Sequence, residues 1–462
     1  MNLTYTIMDT LERCFDGKPC GVGEWDRKII AVKTAEKLKE HGCKNIYDPQ
    51  NPVIKDFGLV DELYMAGLEL AIETGMLCLD TERIIKVSED ELNEWVKSPA
   101  RPLSYGSGAD QMNLVPRQPE DKKPAIAHLG GIGNPTSEDL WIPLHQSVAQ
   151  LRVTDVLTVG TLYTVYGATI RSNTPYELMM GLLEAKLTKE ATRRAGRPEM
   201  PYSAITSSVT DLGQFGGYGV PGGATIHDLA VTGAVSELKT DFHYLNKAIF
   251  SHQIGGKVYC LHHPIVGGFG GGPEGAALLR IAASLLIPLV YQCEFVTSQC
   301  TDARYGINTS RPCIWADTAA SLALSRNYNK VFQGQISPVA GPCTKMLLYE
   351  TACHSINEAV AGTSMIVGVR SGMGRYPDHW TYLENELAGD IIKSAPKMTL
   401  DQANDIIKEI LPKYESEIKN APKGKMSTEC FDVKTFKPSA EWQETYRSVR
   451  KELMDLGTPL ML

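Results

Sequence analysis

Residues 331–346 read Val-Phe-Gln-Gly-Gln-Ile-Ser-Pro-Val-Ala-Gly-Pro-Cys-Thr-Lys-Met. A β-branched opening passes into a polar tip at Gln335 and Ser337, then a Pro and Gly-Pro turn, then a helix-forming run. This is how a strand delivers side chains to a site at its C-terminal edge before the chain returns as a helix. Working outward, short apolar runs recur between longer helical segments at 125–128, 155–160, 201–207, 235–238, 258–262, 289–295, 330–336 and 364–369. Eight runs spaced roughly 25–50 residues apart predict an α/β fold, a (β/α)8 TIM barrel.

The chain of 462 residues is long enough for one such barrel with extensions. A helical N-terminal cap is expected over 1–123, with helices near 28–41 and 59–75, before a Pro-rich, charged boundary at 116–124. The catalytic barrel then covers 124–400, and C-terminal helices over 401–462 pack on it or on a neighbouring subunit. Thr399-x-x-Gln402 reads as a capping box ahead of Ile406, Ile407, Ile410, Leu411 and Tyr414 on one face. A second helix follows Ser439, carries Trp442, Tyr446, Val449, Leu453 and Leu456, and stops at Gly457 and Pro459.

A net charge of −8 argues against nucleic acid as a partner. The most apolar stretch, 281–290, is too short to span a bilayer. No charged leader with an apolar core opens the chain, and 11 scattered cysteines without a C-x-x-C pair read as reduced thiols, so a cytoplasmic location is expected. Much of the glycine lies in tight runs such as Gly267-Gly268-Phe269-Gly270-Gly271-Gly272, which mark loops allowing close backbone approach or plain tight turns.

Ala-Gly-Pro-Cys-Thr at 340–344 resembles the monomethylamine:corrinoid protein methyltransferases. Further blocks carry the resemblance in the same order: 75–80 with Thr81-Glu82-Arg83-Ile84, Ser137-Glu138-Asp139, Pro143-Leu144-His145, 194–198, Glu237-Leu238-Lys239, 264–268, Ala421-Pro422 with Gly424-Lys425, and 429–435. The resemblance implies a barrel and a homo-oligomer. It also implies a separate corrinoid (cobalamin) protein docked over the barrel mouth, with no tightly bound cofactor in the chain itself. The implied reaction moves a methyl group from an amine to Co(I) of that corrinoid.

That family carries pyrrolysine in the barrel. Counting on from Gly196-Arg197-Pro198 places Ser203 at its position; Tyr202 or Ala204, one residue either side, would equally lack an electrophilic imine. A family glutamate before the Pro-x-x-Gly-Gly turn corresponds to Leu261, followed by His262 and His263, and a family tyrosine to Ser337; the family glutamine is kept as Gln335. Losing a carboxylate weakens the hold on a small ammonium by roughly 1.5–3 kcal/mol. An uncharged amine leaves badly from a methyl group under attack, so the donor must be quaternary, or protonated by a general acid such as His262 or His263, or activated by a metal.

The candidate catalytic residues are therefore His262, His263 and Gln335, and the candidate substrate contacts Ser203, Leu261, Gln335, Ser337 and Arg304, the last facing a donor carboxylate if there is one. Asp302 and Asn308 lie in the same stretch as Arg304, Ser137-Glu138-Asp139 reads as helix capping, and His145 as packing. The leading expectation is methyl transfer from a quaternary or larger N-methyl compound to a corrinoid protein. An O- or S-methyl donor with zinc is the alternative, since Cys260 and His262 share one strand face, although no metal ligand set is assigned. A non-catalytic barrel that binds the corrinoid protein is the third.

Overall fold

The computed structural model describes residues 5–204 and 210–460. A closed barrel of eight parallel strands forms its centre. The strands are β1 Ile126–Gly130, β2 Val156–Thr158, β3 Tyr202–Ala204, β4 Leu229–Gly233, β5 Lys257–His262, β6 Val296–Ser298, β7 Gln333–Gln335 and β8 Met365–Gly368. Each pairs with the next in sequence, and β8 closes on β1 with Val367 opposite His128. The helices that follow them are α1 Glu138–Ala149, α2 Pro175–Arg194, α3 Leu212–Gly217, α4 Phe242–Gln253, α5 Pro273–Val290, α6 Arg311–Asn327, α7 Lys345–Val360 and α8 Tyr382–Ser394.

Two strands differ from the sequence reading. The fourth is 229–233 rather than 235–238, because Glu237 and Leu238 hold φ of 65° and 57°, which strand pairing cannot accommodate. The sixth begins at Val296, because α5 runs on through Val290. Part of the 201–207 run, residues 205–209, lies outside the described residues. The apolar stretch 281–290 belongs to α5, which by length and composition alone could cross a membrane but is 94% buried within the fold. It is the central helix of the outer layer, sandwiched between the barrel wall and the N-terminal helix Phe57–Thr74. The approach is close: a Cβ on Gly67 would lie 2.5 Å from Ile281.

The N-terminal region wraps the side and base of the barrel and includes strands as well as helices. Met76–Cys78 pairs with Arg83–Ile85 and, in parallel, with Lys239–Thr240 from the β4–α4 connection. The hairpin Leu103–Tyr105/Met112–Leu114 packs Leu103, Tyr105, Met112 and Leu114 against Val156, Leu229, Phe295, Val331 and Met365 at the N-terminal ends of the strands. Lys257 Nζ reinforces it with a 2.7 Å bond to the Ser104 carbonyl. This stoppers the lower end and leaves the C-terminal end for chemistry.

Both C-terminal helices form as their sequence signals require. Thr399 and Gln402 make the capping box of Leu400–Ile410, and Ser439 caps Ala440–Asp455. Both pack on α7, and Trp442 donates to Thr381 Oγ1 at 3.0 Å.

Candidate active site

Side chains alternate along a strand, so each strand divides into a lumen face and a wall face. On β5, Tyr259 and Leu261 join the lumen cluster, while Val258 and Cys260 join the outer core. His262 therefore faces the wall and His263 the mouth.

Within the lumen a belt of polar groups spans the barrel. Ser203 Oγ lies 2.6 Å from His128 Nε2 and 3.1 Å from the Tyr259 hydroxyl. Gln333 Nε2 donates to His128 Nδ1 at 2.9 Å, and Thr297 donates to Gln333 Oε1. In this orientation the amide fixes the His128 tautomer with its proton on Nε2, donating to Ser203. His128 is then no base toward that hydroxyl, so the contact differs from a nucleophile–base pair. Burial pushes the His128 pKa down to about 3, keeping the ring neutral. The sequence reading missed His128, Tyr259 and Gln333. Their signal was parity: each is a polar group two residues along from an inward apolar one or from another inward polar one.

Above the belt the mouth is less satisfied. Leu261 keeps part of its surface accessible, so side chains do not fill the lumen at its level. Gln335 Nε2 donates to Ser337 Oγ at 2.9 Å, but Gln335 Oε1 is buried without a partner. Asn308 braces this loop, donating to the Gln335 carbonyl at 2.9 Å and accepting from Ser337 N at 3.2 Å. Glu350 accepts from Val339 N and Ala340 N, each at 3.0 Å, and fixes the turn after β7. The Ala-Gly-Pro-Cys-Thr block itself clamps the C-terminal segment: Gly341 N donates to the Pro422 carbonyl at 2.9 Å, and a Cβ on Gly341 would lie 1.7 Å from the Lys423 carbonyl.

The His263 carbonyl accepts from Ser236 Oγ at 2.6 Å, while its Nδ1 is buried without a partner. Its pKa is pushed down to about 4, by burial first and then by the charge of Arg370 at the end of β8. His262 is fully buried with neither ring nitrogen bonded, and burial drives its pKa to about 3.

The structure does not bring every sequence candidate to this mouth. The Ser203 hydroxyl is engaged in the belt. Arg304 lies outside, its side chain 64% exposed and held by Asp302 through bonds of 3.0 and 2.7 Å. Cys260 and His262 share the wall face as expected, but no third ligand joins them among the described residues. Ser137 occupies the N-cap position of α1, yet its hydroxyl bonds Asp378, and Glu138 instead binds the 164–167 turn through Tyr166 N and Gly167 N. His145 accepts from Gly160 N at 2.9 Å and packs between Trp141 and Trp380. The glycine run 267–272 is a tight turn against the start of α5, with Phe269 42% exposed at its tip.

Behind the wall, Asp317, His354 and Glu358 converge closely enough to hold a cation. Arg280 already neutralises both of these carboxylates, with Nη1 2.8 Å from Asp317 and 3.0 Å from Glu358. The cluster is a buried ion network that ties α5, α6 and α7 together.

Comparison with known proteins agrees with this architecture. The family model described as "Monomethylamine methyltransferase MtmB" matches residues 5–458. Monomethylamine methyltransferase MtmB of Methanosarcina mazei is 29% identical over 98% of each chain, and MtmB1 of Methanosarcina acetivorans likewise. The crystal structure of the Methanosarcina barkeri enzyme superposes with a TM-score of 0.95 at 28% identity over all of both chains, as does an MtmB structure in complex with hydroxylamine. A match spanning nearly the whole chain, on the same barrel, places this protein in the monomethylamine methyltransferase MtmB family.

Proposed function

We propose that this protein transfers a methyl group from a small quaternary N-methyl donor, held at the barrel mouth, to the corrinoid of a separate protein. The observation that carries the donor preference is the neutral imidazole of His263 beside an accessible lumen. A secondary or primary amine leaves only if protonated, and a ring whose pKa is pushed to about 4 is a poor proton source at neutral pH. A quaternary ammonium departs as a neutral tertiary amine and needs no acid. Among the described residues, His263, Gln335 and Arg370 have no carboxylate bonded to them.

The mouth suits a partner that presents a planar cofactor. The glycine turn keeps one side low, and Tyr163, Tyr166 and Phe269 leave exposed aromatic surface on the loops that follow β2 and β5. Aromatic surface of this kind is enriched where proteins meet. The corrinoid supplies the methyl-accepting cobalt, while this chain would bind and orient the donor and exclude water around it.

The test is methyl transfer by the purified protein to a reduced corrinoid protein, followed by the visible spectrum of the corrinoid. Quaternary methylammonium compounds should serve as donors and monomethylamine should not. Robust transfer from monomethylamine by this serine-bearing chain would refute the donor preference.

A further inference from the structure

The guanidinium of Arg370 is a cation without a counter-ion. It lies two residues past β8, its main-chain N–H donates to the Ile336 carbonyl just past β7, and its charge reaches His263 beyond β5. Its Nε is buried and bonded to nothing, and no described carboxylate lies within ion-pair distance of it. The short segments outside the described residues, 1–4, 205–209 and 461–462, contain no Asp or Glu that could pair with it. Other arginines near this end are engaged: Arg304 is held by Asp302, and Arg375 donates to the Tyr305 carbonyl at 3.0 Å. The side chain is also seated. Gly374, at φ 67°, packs so closely that a Cβ there would lie 2.8 Å from Nε and 3.1 Å from Nη2.

An unpaired, mostly buried guanidinium is costly unless a ligand completes it. The planar fork matches a carboxylate bidentately. We infer that Arg370 receives the carboxylate of the methyl donor, which makes the donor a small zwitterion: an amino-acid-like molecule with a quaternary N-methylammonium at one end and a carboxylate at the other. The inference rests on the reading of this mouth as a methyl-donor site. The donor's own anion then supplies an anchor for its cationic end. The unpartnered Gln335 Oε1 and the accessible flank of Leu261 are left to face the methylammonium end.

The anion could instead be the phosphodiester of the partner's cofactor, and the experiment separates the two sources. Calorimetric titration of the full chain, without any corrinoid protein, compares glycine betaine with tetramethylammonium. Binding of betaine at least about tenfold tighter is expected, and Arg370→Gln should weaken betaine by about 10- to 100-fold while leaving tetramethylammonium unchanged. Arg370→Lys, which keeps the charge but not the fork, should fall between, and an unchanged circular dichroism spectrum shows that each variant folds. Equal binding of the two compounds, no betaine binding, or an Arg370→Gln variant that raises only the KM for the corrinoid protein would overturn the inference. Betaine that binds through Arg370 but never methylates the corrinoid would leave this assignment standing and sink the proposed reaction.

Discussion

The belt of His128, Ser203, Tyr259 and Gln333 and the mouth group of His263, Gln335 and Arg370 sit within the same barrel only a few residues apart. In the belt, each of these four side chains has found a partner. At the mouth, His263 Nδ1, Gln335 Oε1 and Arg370 Nε have none. Burial alone does not distinguish the two, since polar groups in both are withdrawn from water. The difference lies in satisfaction: the belt closes its own network, whereas the mouth leaves valences open beside an accessible lumen, where the proposed ligand would sit.

Substitutions can break or sharpen this contrast. The largest loss of stability belongs to the wall network, which marks the structural extreme. Arg280→Met strands Asp317 and Glu358 without their cation and should cost about 3–5 kcal/mol in urea unfolding. A loss below about 1 kcal/mol would show that the network is not structural.

Next comes the belt. His128→Leu leaves Ser203 and Gln333 each short of a partner and should cost about 2 kcal/mol of stability, with donor affinity unaltered. If donor affinity falls while the melting temperature holds, the belt belongs to the site and the contrast fails.

The mouth should behave in the opposite way. His263→Asn removes a ring whose Nδ1 bonds nothing, so stability should hold while kcat/KM falls about tenfold, or about 1.4 kcal/mol. Because the folded pKa of His263 lies near 4, well under the usual imidazole value of about 6.5, the ring is uncharged at neutral pH. Transfer rates should therefore stay flat on acidification through about pH 6.5 and fall only as the ring gains its proton beside Arg370. A rate that rises across that range would identify a protonated imidazole as the acid and restore simple amines as donors.

The smallest effect is expected outside both regions. Arg304→Ala removes a largely exposed ion pair and should shift stability by no more than about 0.5 kcal/mol, with no change in donor preference.

The barrel was legible because six of its strands fall within or overlap the short runs read from the sequence. The other two were hidden by local ambiguity. Leu-Ala-Val-Thr-Gly at 229–233 is short and small, and the neighbouring Val-Ser-Glu-Leu at 235–238, apolar at both ends, takes a left-handed turn. The run through 290 gives no periodic signal because α5 is buried on nearly every side. At the mouth, the sequence named residues at the ends of β5 and β7 but not the faces they take. His262 and His263 were equivalent until pairing register put one in the wall. Arg304 looked free until Asp302, two residues away in sequence, was seen to hold it. Arg370 did carry a signal, being the first residue past a predicted strand, but that it lacks a partner is a tertiary fact no sequence displays.

The hairpin of Leu103–Tyr105 and Met112–Leu114 has a kinetic consequence. With the lower end stoppered, the reaction proposed above would make donor and demethylated product share a single doorway with the docking protein. Turnover would then follow a compulsory order, the donor entering before the docking protein arrives and the spent amine departing only after that protein lifts away. At high docking-protein concentrations the proposed reaction would be limited by exchange at the doorway, and its rate would decline rather than saturate.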